Sequence, residues 1–388
     1  MIRGRPQPGV PTPLQPIRDN QGASILGPTN PPREAQDPDL LVPPRTDHGT
    51  LPNLRWSFAD SHNHLSEGGW ARQTTIRELP IASEIAAVNM RLKAGAVQEM
   101  HYHKEAEWAY VLAGRARISA VDVEELRTFQ DDVSEGDLWY FPAGLPHAIQ
   151  GLADDGCEVL LVVDNAHFDS HSTFLLTDWL AHTPREVLAQ NFEVPESAFA
   201  NLPDHELSIF HAPVPGPLSA ERIAGAGPVP EPFTHHLLAQ EPVRTKGGSF
   251  RIADSRVFKA SKTIAAALIE IEPGGMRELH WHPVADEWLY FLSGEARMGV
   301  FDANGDAGTF DYQAGDVGYV PRPMGHYVVN RGTTTLRFLG AFRSDRVVEA
   351  SLSKWLALTP HELVRAHLHI DESVLAKIPV RHTPIVPV

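Results

Sequence analysis

From residue 55 onward the chain is dominated by short runs in which apolar and polar positions alternate. Ile85–Leu92, Trp108–Leu112 and Arg115–Ser119 are three such runs, and Gly95, Gly114 and Gly136 punctuate them. A period of two, bounded by turn residues, predicts short β-strands. Many of these in succession predict an all-β barrel or sandwich. Two stretches break the period. Thr177–Asn191 carries Trp179, Leu180, Val187 and Leu188 and reads as helical, with a start signal at Thr183-Pro184-Arg185-Glu186. Thr359-Pro360-His361-Glu362 repeats that signal ahead of Leu363 and Val364. Threonine as N-cap, proline at the first helical position and glutamate in the first turn is a helix start with a physical basis. Residues 1–54 are Pro-rich without periodicity and read as an extended arm, wrapping their own domain or a neighbour. Residues 203–232 are rich in proline and glycine and read as a linker. That leaves domains at 55–202 and 233–388, each a barrel with a helical segment.

The two halves repeat one another. His101, His103, Glu107 and His147 in the first half match His280, His282, Glu287 and His326 in the second. The first and the last histidines are each separated by 179 positions (280 less 101, and 326 less 147). The repeat also takes in Trp108 and Trp288, Tyr110 and Tyr290, Gly114 and Gly294, Gly136-Asp137 and Gly315-Asp316, Pro142 and Pro321, and Trp179 and Trp355.

Composition narrows the partners. The 388 residues are 42% hydrophobic and 21% charged, enough apolar material for two cores and no sign of general disorder. A net charge of −16 argues against nucleic acid and anionic membranes as partners. It also requires that an anionic substrate meet a locally positive site, which a metal ion supplies. Cys157 is the single cysteine, so no intrachain disulfide forms and a reducing, cytoplasmic location is the expectation. No apolar run approaches the ~20 residues of a membrane span. Met1–Pro16 lacks the apolar core of a secretory signal.

In a strand, residues i and i+2 share a face, so His101 and His103 project together, as do His280 and His282. Glu287 follows His282 by one residue more than Glu107 follows His103, which predicts an extra turn or bulge residue. Three imidazoles and a carboxylate leave open positions on a six-coordinate ion. They do not resemble a closed, cysteine-rich zinc site. Such ligands suit Mn(II), Fe(II), Ni(II) or Cu(II), and ligand type alone does not choose among them. By strand alternation Tyr102 and Trp281 point away from the ligands toward packed layers, while Lys104 and Glu105 read as surface residues.

These residues resemble a known family. Gly95-x5-His101-x-His103-x3-Glu107-x6-Gly114 and Gly136-x5-Pro142-x-Gly144-x2-His147 match the two cupin motifs. The second half has Gly274-x5-His280-x-His282-x4-Glu287-x6-Gly294 and Gly315-x5-Pro321 with His326. The chain resembles a bicupin: two tandem double-stranded β-helix (jelly-roll) barrels with short flanking helices. Leu41–Gly49, Val88–Leu92, Gly136–Pro142, Leu176–Pro184 and Gly315–Pro321 extend the resemblance to the oxalate decarboxylases. The resemblance implies one Mn(II) per barrel, dioxygen as cofactor, cleavage of oxalate to formate and carbon dioxide, and a homo-oligomer, trimer or hexamer.

The same resemblance marks departures. Gln98 stands where the family has an arginine three residues before the first histidine, whereas Arg277 keeps it in the second half. In the stretch matching the family's mobile lid, Asp169–Thr173, Ser170 replaces the proton-donating glutamate. Gly340 replaces a glutamate in the second half. Glutamine hydrogen-bonds a carboxylate without neutralising it, and serine is a poor general acid. His171 or Asp169 is the alternative proton source, and Thr173 contacts lid or substrate. The candidate catalytic set is therefore Arg277, Gln98, Ser170, His171 and Thr173. Two other readings stay open: oxalate oxidation to carbon dioxide and hydrogen peroxide, and a bicupin that holds metal without this chemistry.

Overall fold

The computed structural model describes residues 14–387 apart from 153, 170–172, 221–222, 379 and 382. An edge strand, β1 (Arg55–Ser57), precedes the first barrel. That barrel comprises β2 (Gly69–Thr74), β3 (Ala86–Leu92), β4 (Val97–Tyr102), β5 (Glu107–Asp122), β6 (Arg127–Ser134), β7 (Leu138–Phe141), β8 (His147–Gly151) and β9 (Cys157–Val163). One layer runs β7-β5-β9-β3-β2 and the other β6-β5-β8-β4. The two expected strands at Trp108–Leu112 and Arg115–Ser119 are one 16-residue strand, shared by both layers. It turns the corner at Gly114, whose φ is +74° and where an added Cβ would lie 2.1 Å from the Gly156 carbonyl oxygen. Only glycine fits there.

The second barrel comprises β10 (Gly248–Ala253), β11 (Ala265–Ile271), β12 (Met276–Trp281), β13 (Glu287–Ser293), β14 (Glu295–Phe301), β15 (Ala307–Gln313), β16 (Asp316–Val320), β17 (Gly325–Asn330) and β18 (Leu336–Phe342). Its layers run β10-β11-β18-β13-β16-β1 and β15-β14-β17-β12. The corner at Gly294 separates β13 from β14. The extra residue before Glu287 sits in the turn between β12 and β13, as the spacing predicts.

The arm wraps the second barrel, not the one it leads into. β1 pairs antiparallel with β16, Ser57 opposite Asp316. Asp47 accepts hydrogen bonds from the Thr309 amide (3.1 Å) and hydroxyl (2.8 Å), and His48 bridges Ala307. The segment expected as a linker is also strapped down. Ile209–Phe210 pairs with β4 and Gly227–Pro228 runs parallel to β6; just past it, Thr234–His235, in the stretch expected to belong to the second domain, pairs with β7 of the first barrel. Both straps cover sheet edges whose backbone groups would otherwise lack partners. One apolar cluster fills the first barrel and continues into the second, joining Trp108, Tyr110 and Leu160 to Leu268, Trp288 and Leu339, and a separate cluster around Phe291, Met298 and Phe338 fills the rest of the second barrel.

Each barrel is followed by a helix pair: α1 (Leu176–Ala181) with α2 (Arg185–Phe192), and α3 (Leu352–Leu358) with α4 (His361–Leu368). The expected threonine N-caps are not formed. Pro184 and Pro360 occupy the N-cap positions, while the Thr183 and Thr359 hydroxyls each donate 2.8 Å back to the Trp179 and Trp355 carbonyls of the preceding helix. Proline cannot continue that helix, so the stretch read as one helix is two. Among the described residues no helix is long and apolar enough to cross a membrane.

Arg55 and Asp316 form a buried ion pair at 2.6 Å, with side chains 6% and 2% exposed. Asp316→Ala strands the guanidinium and is expected to cost about 3–5 kcal/mol of second-barrel stability. Arg55→Met with Asp316→Leu recovers much of that in denaturant titration. Asp37, on the arm, is lifted by burial to about 6. The folded state thus favours the protonated acid, and this stabilisation is full below pH 3.8 and lost as pH rises through 6. Asp37→Asn should therefore raise the calorimetric melting temperature more at pH 8 than at pH 5.

Candidate metal centres

The ligand-bearing strands carry the same irregularity in both barrels. His101 lies opposite His147 and Gln98 opposite Ile149, so three residues on β4 span two on β8. Likewise His280 lies opposite His326 and Arg277 opposite Val328. One extra residue reverses the alternation and turns Gln98 and Arg277 to the face that carries the first histidine. Between them, Glu99 and Glu278 point the other way into buried polar clusters. Glu99 accepts from the amides of Thr177 (3.0 Å), Leu207 (2.8 Å) and Ser208 (2.7 Å) and from the Thr177 hydroxyl, so it ties α1 and the strap to the strand carrying His101. The motif reading missed both glutamates, although they recur at the repeat spacing.

His101, His103, Glu107 and His147 bring one ligand atom each within 4.8 Å of the others, and so do His280, His282, Glu287 and His326. All eight are buried. Every imidazole is oriented by its Nδ1, which donates to a backbone carbonyl. In the first barrel the acceptors are Glu99 (2.7 Å), Glu105 (2.8 Å) and Leu145 (2.7 Å). In the second they are Glu278 (2.7 Å), Val348 (2.9 Å) and Met324 (3.1 Å). That leaves each Nε2 lone pair facing inward. The Nε2 atoms of His103, His147 and His282 are buried without a hydrogen-bond partner, the state a metal ligand requires. Glu107 also accepts from Trp139 Nε1 at 2.9 Å.

The electrostatics agree. Burial, then the neighbouring His147 charge, lowers His101 to about 3, so its imidazole is neutral. Burial likewise holds His280 well below its ordinary value, helped by Arg277. Burial alone would raise the Glu107 and Glu287 carboxyls, but the facing histidines outweigh it and keep both well below the usual carboxylate range. At the first site burial alone would lower His103, but Glu107 outweighs it and raises His103 above its ordinary value, so a divalent ion binding there would displace a proton.

The surroundings of the two sites differ. The first opens into a cavity of about 480 Å³, which Gln98, Thr173, Leu161, Phe168 and Asp178 line. The Gln98 Oε1 is buried without a partner, and its Nε2 lies 3.4 Å from His101 Nε2. Asp169 forms an ion pair with Arg77 at 3.2 Å. Ser170 and His171 lie outside the described residues. In the second site Arg277 donates to the Pro384 carbonyl (2.9 Å) and pairs with Glu349. A Cβ at Gly340 would come within 2.5 Å of Glu287 Oε1, so no side chain fits beside that carboxylate as it stands. Tyr102 and Trp281 point away from the ligands, as alternation predicts, but not into packed layers: Tyr102 is exposed and stacks on exposed Phe174, and Trp281 packs on exposed Trp355. Glu105, expected at the surface, is 6% exposed and accepts from Asn165 Nδ2 at 2.7 Å. The turn folds inward there to present its carbonyl to His103.

Replacing one ligand carboxylate tests the sites separately. Glu107→Gln or Glu287→Gln should each lower bound divalent metal to about half that of the unmodified chain, read by elemental analysis. An unchanged content would remove that residue from the ligand set.

Comparison with known proteins places this geometry in a family. The cupin family model matches residues 57–198 and again 235–375. Oxalate decarboxylase OxdC of Bacillus subtilis (strain 168) is 54% identical over 373 residues, covering 96% of each chain. A probable oxalate decarboxylase of Arthroderma benhamiae is 41% identical over 379 residues, covering 96% of this chain and 93% of the relative. A B. subtilis oxalate decarboxylase structure from work on its Mn(II) centres superposes with a TM-score of 0.94 at 54% identity, covering 96% of this chain and 99% of that one. With two matched domains, two repeated three-histidine, one-glutamate sites and chain-long similarity, the protein belongs to the cupin family, as a bicupin of the oxalate decarboxylase group.

Proposed function

We propose that the protein is a manganese-dependent oxalate decarboxylase that works at the first barrel with dioxygen as cofactor. The observation that carries this reading is a complete ligand set opening into a cavity of small-molecule size, in a chain with chain-long identity to oxalate decarboxylases. When bound, the manganese supplies one-electron redox chemistry and the positive charge an anion needs in a chain of net charge −16. His101, His103 and His147 would hold it through nitrogen and Glu107 through an anionic oxygen, with His101 already held neutral by burial. Gln98 offers a neutral amide to a substrate oxygen, and Val88, Leu161 and Phe168 keep the cavity partly dry. Hydrogen oxalate then yields formate and carbon dioxide, its proton ending on the formate carbon.

The second reading is oxidation, in which oxalate, dioxygen and two protons give two carbon dioxide and hydrogen peroxide. It is favoured by the proton inventory. Asp169 is held by Arg77, and serine stands at position 170, so the lid stretch offers no uncommitted carboxylic acid. The apolar residues Trp179, Phe192, Trp355 and Leu368, exposed at matching places on the two helix pairs, support self-association.

Incubating the manganese-loaded protein with oxalate under air at mildly acidic pH separates the readings. Formate near one equivalent supports decarboxylation, peroxide without formate supports oxidation, and neither product removes both. Ser170→Glu is expected to raise the formate-to-peroxide ratio. Gln98→Arg should lower the KM for oxalate by about tenfold through a charge-assisted bond. An unchanged KM would take residue 98 out of substrate binding.

A further inference from the structure

The strand register identifies counterparts between the two centres that motif spacing does not. Phe174 pairs with Tyr102 as Ala350 pairs with Trp281, and Leu175 with His101 as Ser351 with His280. Thr173 therefore corresponds to Glu349, just as Gln98 corresponds to Arg277. In the first centre this pair is neutral, and both members line the open cavity. In the second it is an ion pair, with Arg277 11% and Glu349 24% exposed at the side chain.

The segment that delivers Glu349 is anchored on the ligands themselves. The Val348 carbonyl holds His282 Nδ1 at 2.9 Å, Ala350 and Ser351 pair with β12, and the Ser351 hydroxyl donates to Glu278 at 2.9 Å. Arg277 is also fixed from the other side by the Pro384 carbonyl at 2.9 Å. Its guanidinium faces the ligand side because of the β12 irregularity, yet its charge is already matched by a carboxylate of the chain.

We propose that Glu349 is a positioning residue that occupies the carboxylate-binding capacity of Arg277, so that the second centre holds its metal but excludes small carboxylates. One guanidinium nitrogen is tied to the Pro384 carbonyl and another is taken by Glu349, and a carboxylate on a segment anchored at Val348, Ala350 and Ser351 competes with a free one at high effective concentration. The two centres then divide the work, with ligand entry at the first and a self-satisfied site at the second. Oxalate as the entering acid rests on the function proposed above; the exclusion itself does not.

The test uses the full chain loaded with manganese at both centres and formate as the probe. The readout is the fraction of the Mn(II) electron paramagnetic resonance signal that shifts at saturating formate. No more than half is expected to shift in the unmodified protein. A larger fraction should shift in Glu349→Thr, which installs the first centre's residue, and in Glu349→Gln, which keeps the shape and removes the charge. Manganese content and circular dichroism confirm that each variant is folded and loaded. A shift beyond half in the unmodified protein, or no gain in either loaded variant, overturns the proposal. Failure of oxalate to react while formate behaves as described would count against the oxalate reading alone.

Discussion

Six Nδ1–H donors, each held by a backbone carbonyl at 2.7–3.1 Å, are the constraint on which both centres depend. They set the tautomer, aim each Nε2 at a common point, and do so before any ion arrives. The cost is a set of buried nitrogens without partners beside a buried carboxylate, an arrangement that a barrel interior tolerates only where a cation completes it. Much of the surrounding architecture serves those carbonyls. The inward turn at Glu105 and the segment through Val348 are both placed by the need to present an acceptor to an imidazole.

The centres share ligands but not neighbours, and the difference is electrostatic. At the first, the positions beside the metal are an amide and a threonine facing open space. At the second, they are a guanidinium and a carboxylate closed on each other. A positive metal site inside an acidic protein attracts anions to either barrel, so the neighbours, rather than the metal, decide which barrel admits one.

The ligands and the barrels were legible because they follow rules of period two and of internal repetition: His101 and His103, Gly114 and Gly294, and the 179-residue offset all speak from the sequence. What was not legible depends on contacts far apart in the chain. Nothing local says that Arg55 pairs with Asp316, or that β1 joins the second barrel. Thr183 and Thr359 carry a valid cap signal, but the hydroxyl finds the carbonyl of the preceding helix first. The irregularity that turns Gln98 and Arg277 inward is likewise invisible to a strict alternation, which would have put them on the opposite face. Glu349 had no motif at all, and only the register of its neighbours connects it to a metal centre.

The account stands most directly on where manganese binds. Anomalous diffraction at the manganese edge from crystals of the loaded protein measures that without reference to activity. The prediction is two peaks per chain, one within coordinating distance of His101, His103, His147 and Glu107, the other of His280, His282, His326 and Glu287. Peaks elsewhere, or density at only one of the two sets in fully loaded protein, would contradict it.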